Sequence, residues 1–145
     1  MNLCRLVYFS ERNPAFDPDT HQIITVSQRN NAAADVTGLL FSDGAYFVQA
    51  LEGRRSRVTR TYNRIANDTR HQSLYLVSCA DVRERMFTGW SMALHTDMSQ
   101  AVRDQMTSFF SLTSFDPENI TVESLIYFLQ ILAMDLRRRD QKRVG

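Results

Sequence analysis

The sequence predicts an α+β fold, on three observations. Short strand-forming runs alternate with helical stretches through the first two thirds of the chain. An Asp43-Gly44 pair, a hairpin signal, joins two of those runs. Beyond Thr96 the pattern changes to helix alone.

Taken in order, Leu3 to Phe9 is an apolar run rich in strand formers and reads as the first strand. Pro14 and Pro18 punctuate the next stretch, and Asp17 or Asp19 can cap a helix running to about Ala34. Val36 to Phe41 is the second strand, Ser42-Asp43-Gly44 the turn, and Ala45 to Leu51 the third strand, bounded by Glu52-Gly53. Arg54 to Asn67 reads as a second helix, with Val58, Tyr62 and Ile65 at helical spacing. Leu74 to Ala80 and Phe87 to His95 are the fourth and fifth strands. The order strand, helix, hairpin, helix, strand is the ferredoxin-like βαββαβ plan, here with a fifth strand and two helices on one face. Met98 to about Leu112 and Asp116 to about Arg139 are two further helices, expected on the other face. The second carries a wide stripe of Val122, Leu125, Ile126, Leu129, Leu132, Ala133 and Leu136. The expected organisation is a core of residues 1–95 and a helical extension of residues 96–145 in one compact domain, the extension serving output or oligomerisation. Phe109, Phe110, Phe115, Tyr127 and Phe128 enlarge the apolar surface, which favours a homo-oligomer.

Composition sets limits. Hydrophobic residues at 43% and charged residues at 23% fit an ordinary soluble globular protein. A net charge of +1 supplies no bulk field to draw nucleic acid or membrane. The start lacks the pattern of a signal peptide, and no apolar run approaches the roughly 18 residues of a membrane span. Cys4 and Cys79 form no metal-ligand spacing and read as reduced, buried thiols, which places the protein in the cytoplasm.

Most chemical motifs are excluded. The five glycines, at 38, 44, 53, 89 and 145, form no phosphate-cradling loop. His21, His71 and His95 show no metal spacing, so no metal is expected. No nucleophile elbow is present, and the chain is not expected to be an enzyme. The arginines at 54, 55, 57, 60 and 64 read as a solvated helix face, and the basic run from Arg137 to Arg143 as a helix end complementing the macrodipole.

Gln49 is harder to dismiss. It interrupts the apolar run Ala45-Tyr46-Phe47-Val48-Gln49-Ala50-Leu51, and a buried amide needs partners for up to about four hydrogen bonds. Nearby backbone could satisfy it, or it could face a ligand. Tyr8 lies on the first strand in parity with Leu6 and Cys4. Ile23, Ser27, Asn30 and Asn31 fall on one face of the first helix. Trp90 and Met92 alternate on the expected fifth strand and so share a face. Together these place a phenol, three amides, a tryptophan and a methionine near one helix-sheet cleft.

The stretches Arg5-Leu6-Val7-Tyr8-Phe9-Ser10, Ser27-Gln28-Arg29-Asn30-Asn31, Val36-Thr37-Gly38-Leu39-Leu40, Phe47-Val48-Gln49-Ala50-Leu51-Glu52-Gly53, Asp68-Thr69-Arg70-His71 and Trp90-Ser91-Met92 resemble the BLUF domain, a blue-light sensor that uses flavin. The resemblance covers about Leu3 to Leu94. It implies a noncovalent flavin, usually FAD with FMN or riboflavin as alternatives, held between the two helices. It further implies that Tyr8 is the electron and proton donor and that Gln49 is the amide that rearranges beside the flavin. Asn31 would bond the pyrimidine side of the ring, Asn30 would pack near it, and Ile23 and Ile65 would sandwich it. Arg64, Asp68 and Arg70 are further expected contacts, and Trp90 and Met92 form the switch pair. A Tyr-Gln-flavin hydrogen-bond network of this kind would signal to a separate effector protein, a cyclic-di-GMP phosphodiesterase or a cyclase being a guess from the family. No output enzyme is recognisable in the sequence. Two readings compete on the same fold: a small acylphosphatase-like hydrolase and a flavin-free dimerisation module.

Overall fold

A computed structural model describes residues 2–15, 20–42, 46–107 and 118–144. The expected caps Asp17 and Asp19, the Asp43-Gly44 turn, Asp116-Pro117 and the aromatics Phe109, Phe110 and Phe115 lie outside the described residues. The elements are β1 (Leu3–Arg12), α1 (Thr20–Ala33), β2 (Thr37–Ser42), β3 (Tyr46–Gly53), α2 (Arg55–Ala66), β4 (His71–Val82), β5 (Ala93–His95), α3 (Gln100–Thr107) and α4 (Val122–Val144). The strands form one sheet in the order β4-β1-β3-β2-β5. The first four strands have the ferredoxin-like order that the sequence predicts, with β5 added at the edge.

The antiparallel register explains why the site forms where it does. β1 and β3 are central neighbours, and Tyr8 lies directly opposite Gln49. Opposed residues in an antiparallel pair point to the same face and approach to about 5 Å. On the other side of β3, Leu40 of β2 opposes Gln49 and Thr37 opposes Glu52. Leu6, Tyr8, Leu40, Phe47 and Leu51 turn to one face and cluster with Ile24 of α1 and Val58 of α2. Alternate residues Val7, Phe9, Leu39, Phe41, Val48 and Ala50 are buried as well. Both faces of the central strands are therefore dry, which is why these runs read as continuously apolar rather than alternating.

Helix α1 stops at a left-handed residue, Asp35, with φ 55°. The amide of Val36 reaches back to the Asn31 carbonyl at 2.8 Å, closing the helix end as it turns into β2. Asn31 is thus fixed at a terminated helix end.

Two expectations need correction. The sequence predicts a fifth strand from Phe87, but only Ala93–His95 is strand. A turn interrupts it: Trp90 N–H bonds the Phe87 carbonyl at 3.2 Å, and Gly89 has φ 84°. A positive φ at the third turn position is the requirement of a type II turn, which glycine meets without strain. Trp90 and Met92 therefore lie in an irregular segment, and strand alternation does not govern them. The cysteines differ too. Cys4 is buried, whereas Cys79 is exposed on the edge strand β4, with the two sulfurs 3.2 Å apart.

The chain divides into two units, Met1–Leu94 and His95–Gly145. In the second, α4 begins later than expected, with Thr121 Oγ1 accepting from the Ser124 amide at 3.1 Å as an N-cap. The buried His95 Nε2 meets Asp135 Oδ2 at 2.9 Å, and Arg139 bridges Asp135 and Asp97. Leu125, Phe128, Leu129, Ile131, Leu132 and Ala133 of α4 are buried within the single chain. The large apolar side chains that α4 leaves exposed among the described residues are Val122 and Met134.

Candidate functional site

Tyr8 is buried at the centre of the sheet, only 1% exposed, and its hydroxyl donates to Gln49 Oε1. Burial, and to a lesser degree Tyr62 and Asp68, push the phenol pKa far up. Tyr8 therefore holds its proton firmly at rest. The Tyr62 ring lies edge-on to it, centroids 5.8 Å apart.

Gln49 uses its other end differently. Nε2 donates to Met92 Sδ at 3.4 Å. A thioether is a weak acceptor, so this bond is far easier to exchange than an amide-carbonyl bond. Met92 is buried against the same cluster. Gly38 on β2 makes this packing feasible: a Cβ there would stand 2.3 Å from the Ala50 carbonyl oxygen and 3.0 Å from Met92 Cε.

The segment bearing Met92 is held carbonyl by carbonyl. Gly38 N–H bonds the Trp90 carbonyl at 3.0 Å. Asn31 Nδ2 bonds that of Ser91 at 2.7 Å, and Gln28 Nε2 that of Met92 at 3.1 Å. Of the expected switch pair, then, Met92 touches Gln49, whereas half-buried Trp90 is held by its backbone.

Two adjoining cavities open from this point between α1 and α2. The inner, about 60 Å³, is lined by Tyr8, Leu40, Phe47, Gln49 and His71 among others. The outer, about 260 Å³, is lined by Ile23, Asn30, Asn31, Gln49, Arg64, Ile65, Asp68 and Arg70, with Gln22, Val26, Ser27 and Thr61. Ile23, Ser27, Gln49, Ile65, Asp68 and Arg70 border both. The two form one cleft along that shared border. Every expected flavin contact borders it.

The donor set fits a flavin. Ile23 and Ile65 offer aliphatic walls from opposite helices, the amides of Asn30, Asn31 and Gln49 suit a hydrogen-bonding ring edge, and exposed Arg64 suits a phosphate. Two details refine the expectations. Asn31 is only 2% exposed, and one of its donors is already committed to Ser91. Arg70 is paired with Asp68, Nε lying 2.9 Å from both carboxylate oxygens. That bond holds the Asp68 carboxyl below the usual carboxylate range.

Ser27, Gln28, Glu52 and His71 have no role assigned from sequence. Ser27 shares the helix face of Ile23 and Asn30, and Gln28 and His71 lie within the stretches that carry the BLUF resemblance. Glu52 reads as the polar end of a strand, whereas it is fully buried. Among the described residues no group of three metal-ligating side chains gathers, and no helix is long and apolar enough to cross a membrane.

Comparison with known proteins agrees with this geometry. The family model for sensors of blue light using FAD matches residues 3–93. The blue light- and temperature-regulated antirepressor BluF of Escherichia coli (strain K12) is 34% identical over 102 residues, covering 66% of this chain and 25% of that protein. The photoactivated adenylate cyclase subunit beta of Euglena gracilis is 31% identical over 128 residues, covering 81% of this chain and 15% of that protein. The chain thus spans a quarter or less of these relatives. The solved structure of BlsA in its photo-activated state superposes with a TM-score of 0.81 at 27% identity, covering 92% of this chain and 95% of that one. Neither the hydrolase nor the flavin-free reading finds support in these matches. A cleft flanked by a buried Tyr-Gln pair, together with a match across most of the first unit, means that the chain belongs to the BLUF family, the sensors of blue light using FAD.

Proposed function

We propose that Tyr8, Gln49 and Met92 are the switch of this blue-light sensor, with Ile23, Asn30, Asn31, Arg64, Ile65, Asp68 and Arg70 holding FAD in the cleft. The carrying observation is that Gln49 accepts from Tyr8 and donates to the Met92 sulfur at once. Bound FAD would supply the light absorption and a reversible acceptor for one electron and one proton. Tyr8 is the donor of both, and its proton leaves along the bond to Gln49 Oε1. Gln49 then rotates, or shifts its own proton, before Tyr8 is restored.

The chain's own chemistry makes the rearranged state different. Rotation turns Nε2 toward Tyr8, whose hydroxyl oxygen can accept. It also turns Oε1 toward Met92 Sδ, which has no proton to give. An amide oxygen facing a sulfur in a dry site loses its partner, so Met92 is expelled and the segment holding it moves. Such a switch needs a difference of only a few kcal/mol between arrangements. That segment leads through β5 into the second unit, which would carry the change to a separate effector.

The antirepressor and cyclase activities named for the relatives support a regulatory output of that kind, a cyclase included; a cyclic-di-GMP enzyme as the effector and action in the cytoplasm belong to the same reading. Homo-oligomerisation draws on less surface than the sequence predicts: of the stripe Leu125, Leu129, Leu132 and Ala133 are buried within the single chain, and Val122 of the stripe with Met134 beside it are the large apolar side chains of α4 left exposed among the described residues. The test is direct. The purified protein should be yellow, release FAD on denaturation, and show a reversible red shift under blue light. A protein that stays colourless with added FAD, FMN or riboflavin would sink this reading.

A further inference from the structure

On the sheet face opposite Gln49, the same strand carries a second buried polar group. Glu52 is 0% exposed. Its carboxylate accepts from Arg5 Nε at 2.8 Å on β1 and from Thr37 Oγ1 at 3.3 Å on β2. It also accepts the amide of Met86 at 2.8 Å and that of Phe87 at 2.9 Å. Arg85 adds to the same knot, giving Nη1 to Thr37 Oγ1 at 3.0 Å and to the Glu52 carbonyl at 3.2 Å. Every partner is a donor, as an ionised carboxylate requires, and two are main-chain amides whose position the side chain dictates.

The amides are those of the residues that open the segment running to Met92. Phe87, itself 0% exposed, begins the Gly89 turn. Carbonyls 90 to 92 are then fixed by Gly38, Asn31 and Gln28. Between the Glu52 clamp and β5 the chain has little slack, so a displacement of Met92 works against that clamp. We propose that Glu52 is a positioning residue of the switch: by fixing Met86 and Phe87 it determines how firmly Met92 is returned to Gln49. The inference rests on the sensor reading above. It assigns Glu52 no contact with FAD; its influence passes through Met92.

A double-mutant cycle on the full, flavin-loaded chain tests this. Glu52→Gln keeps the shape but turns an amide donor toward other donors. Met92→Leu removes the sulfur that Gln49 donates to, in nearly the same volume. Glu52→Gln should keep the size of the red shift and slow dark recovery about fivefold, a change that shrinks below about twofold when Met92 is already leucine. A residue that matters only for stability would lower the melting temperature and change recovery equally in both backgrounds. Equal changes, or no change in either, would overturn the inference while leaving the sensor reading intact; absence of flavin in the unaltered chain would instead break the sensor reading. Should Glu52→Gln fail to fold, Thr37→Val removes one donor from the same carboxylate, and the same non-additivity with Met92→Leu decides the matter.

Discussion

Gln49 and Glu52 lie on one strand, β3, both buried and both polar, yet they face opposite ways and are satisfied in opposite styles. Gln49 has one partner that can release a proton and another that is a weak acceptor, and it borders an open cleft. Glu52 has an arginine, a hydroxyl and two main-chain amides, all donors and all fixed by secondary structure or a turn. An amide carries a donor and an acceptor at nearly superposable positions, so reversal costs it only the quality of its bonds. A carboxylate surrounded by donors gains nothing from reversal. Partner chemistry, rather than burial, decides which buried polar group can switch and which can only hold.

The largest effects should come from removing either style of bonding. Gln49→Leu deletes the reversible amide in similar volume, and Tyr8→Phe deletes the transferable proton while retaining the ring. Each protein should stay folded and yellow and lose the red-shifted state completely, as difference absorption under blue light will show. An ordinary photocycle in Tyr8→Phe would make another residue the donor. Glu52→Ala should do the reverse. It strands the Met86 and Phe87 amides and takes one partner from the partly exposed Arg5, costing about 2–4 kcal/mol in denaturant unfolding, the scale for leaving buried donors unpaired.

That contrast also marks what can be read from the sequence. The order of elements, Gln49 as a buried amide and the cleft face of α1 are legible because each rests on local periodicity or on a polar residue in an apolar run, whereas the pairing of Tyr8 with Gln49 is implied by the family resemblance. Glu52 is not, since a charged residue before Gly53 has the appearance of a strand end. Its burial depends on Met86 and Phe87 folding back from far along the chain. The length of β5 is hidden for a related reason: Trp90 and Met92 have the right alternation, but a single positive φ at Gly89 overrides it. The exposure of Cys79 reflects the place of β4 at the sheet edge, a fact of topology.

Asn31 stands between the two styles, with a donor on the Ser91 carbonyl and its side chain bordering the cleft. Asn31→Ala should weaken FAD binding by about 1–3 kcal/mol if a buried hydrogen bond to the cofactor is lost. Titration of the apoprotein with FAD measures this. Gln28→Ala touches the same segment from an exposed position, with its bond to Met92, and should leave affinity nearly unchanged while altering dark recovery. Equal FAD affinity in the Asn31→Ala protein would mean that Asn31 serves the segment alone.

The smallest expected effect is electrostatic and concerns the rim of the cleft. Hydrogen bonding to Arg70 lowers the Asp68 pKa from its ordinary 3.8, and burial lowers that of His71 from 6.5. Both shifts have the same sign for stability, because in each case the unfolded chain binds the proton more readily. The His71 contribution is complete above about pH 6.5 and is lost as pH falls through its lower folded value, since a half-buried imidazole beside Ser10 must then accept charge. The Asp68 contribution persists until pH falls below 3.8 and toward its own lower folded value. Stability measured by denaturant should therefore decline in two steps on acidification, the first removed by His71→Gln and the second flattened by Asp68→Asn. Because the Asp68–Arg70 pair is partly solvated, added salt should shrink the second step more than the first. A first step that survives His71→Gln would assign that titration to another group and leave His71 as a packing residue edge-on to the Tyr8 ring.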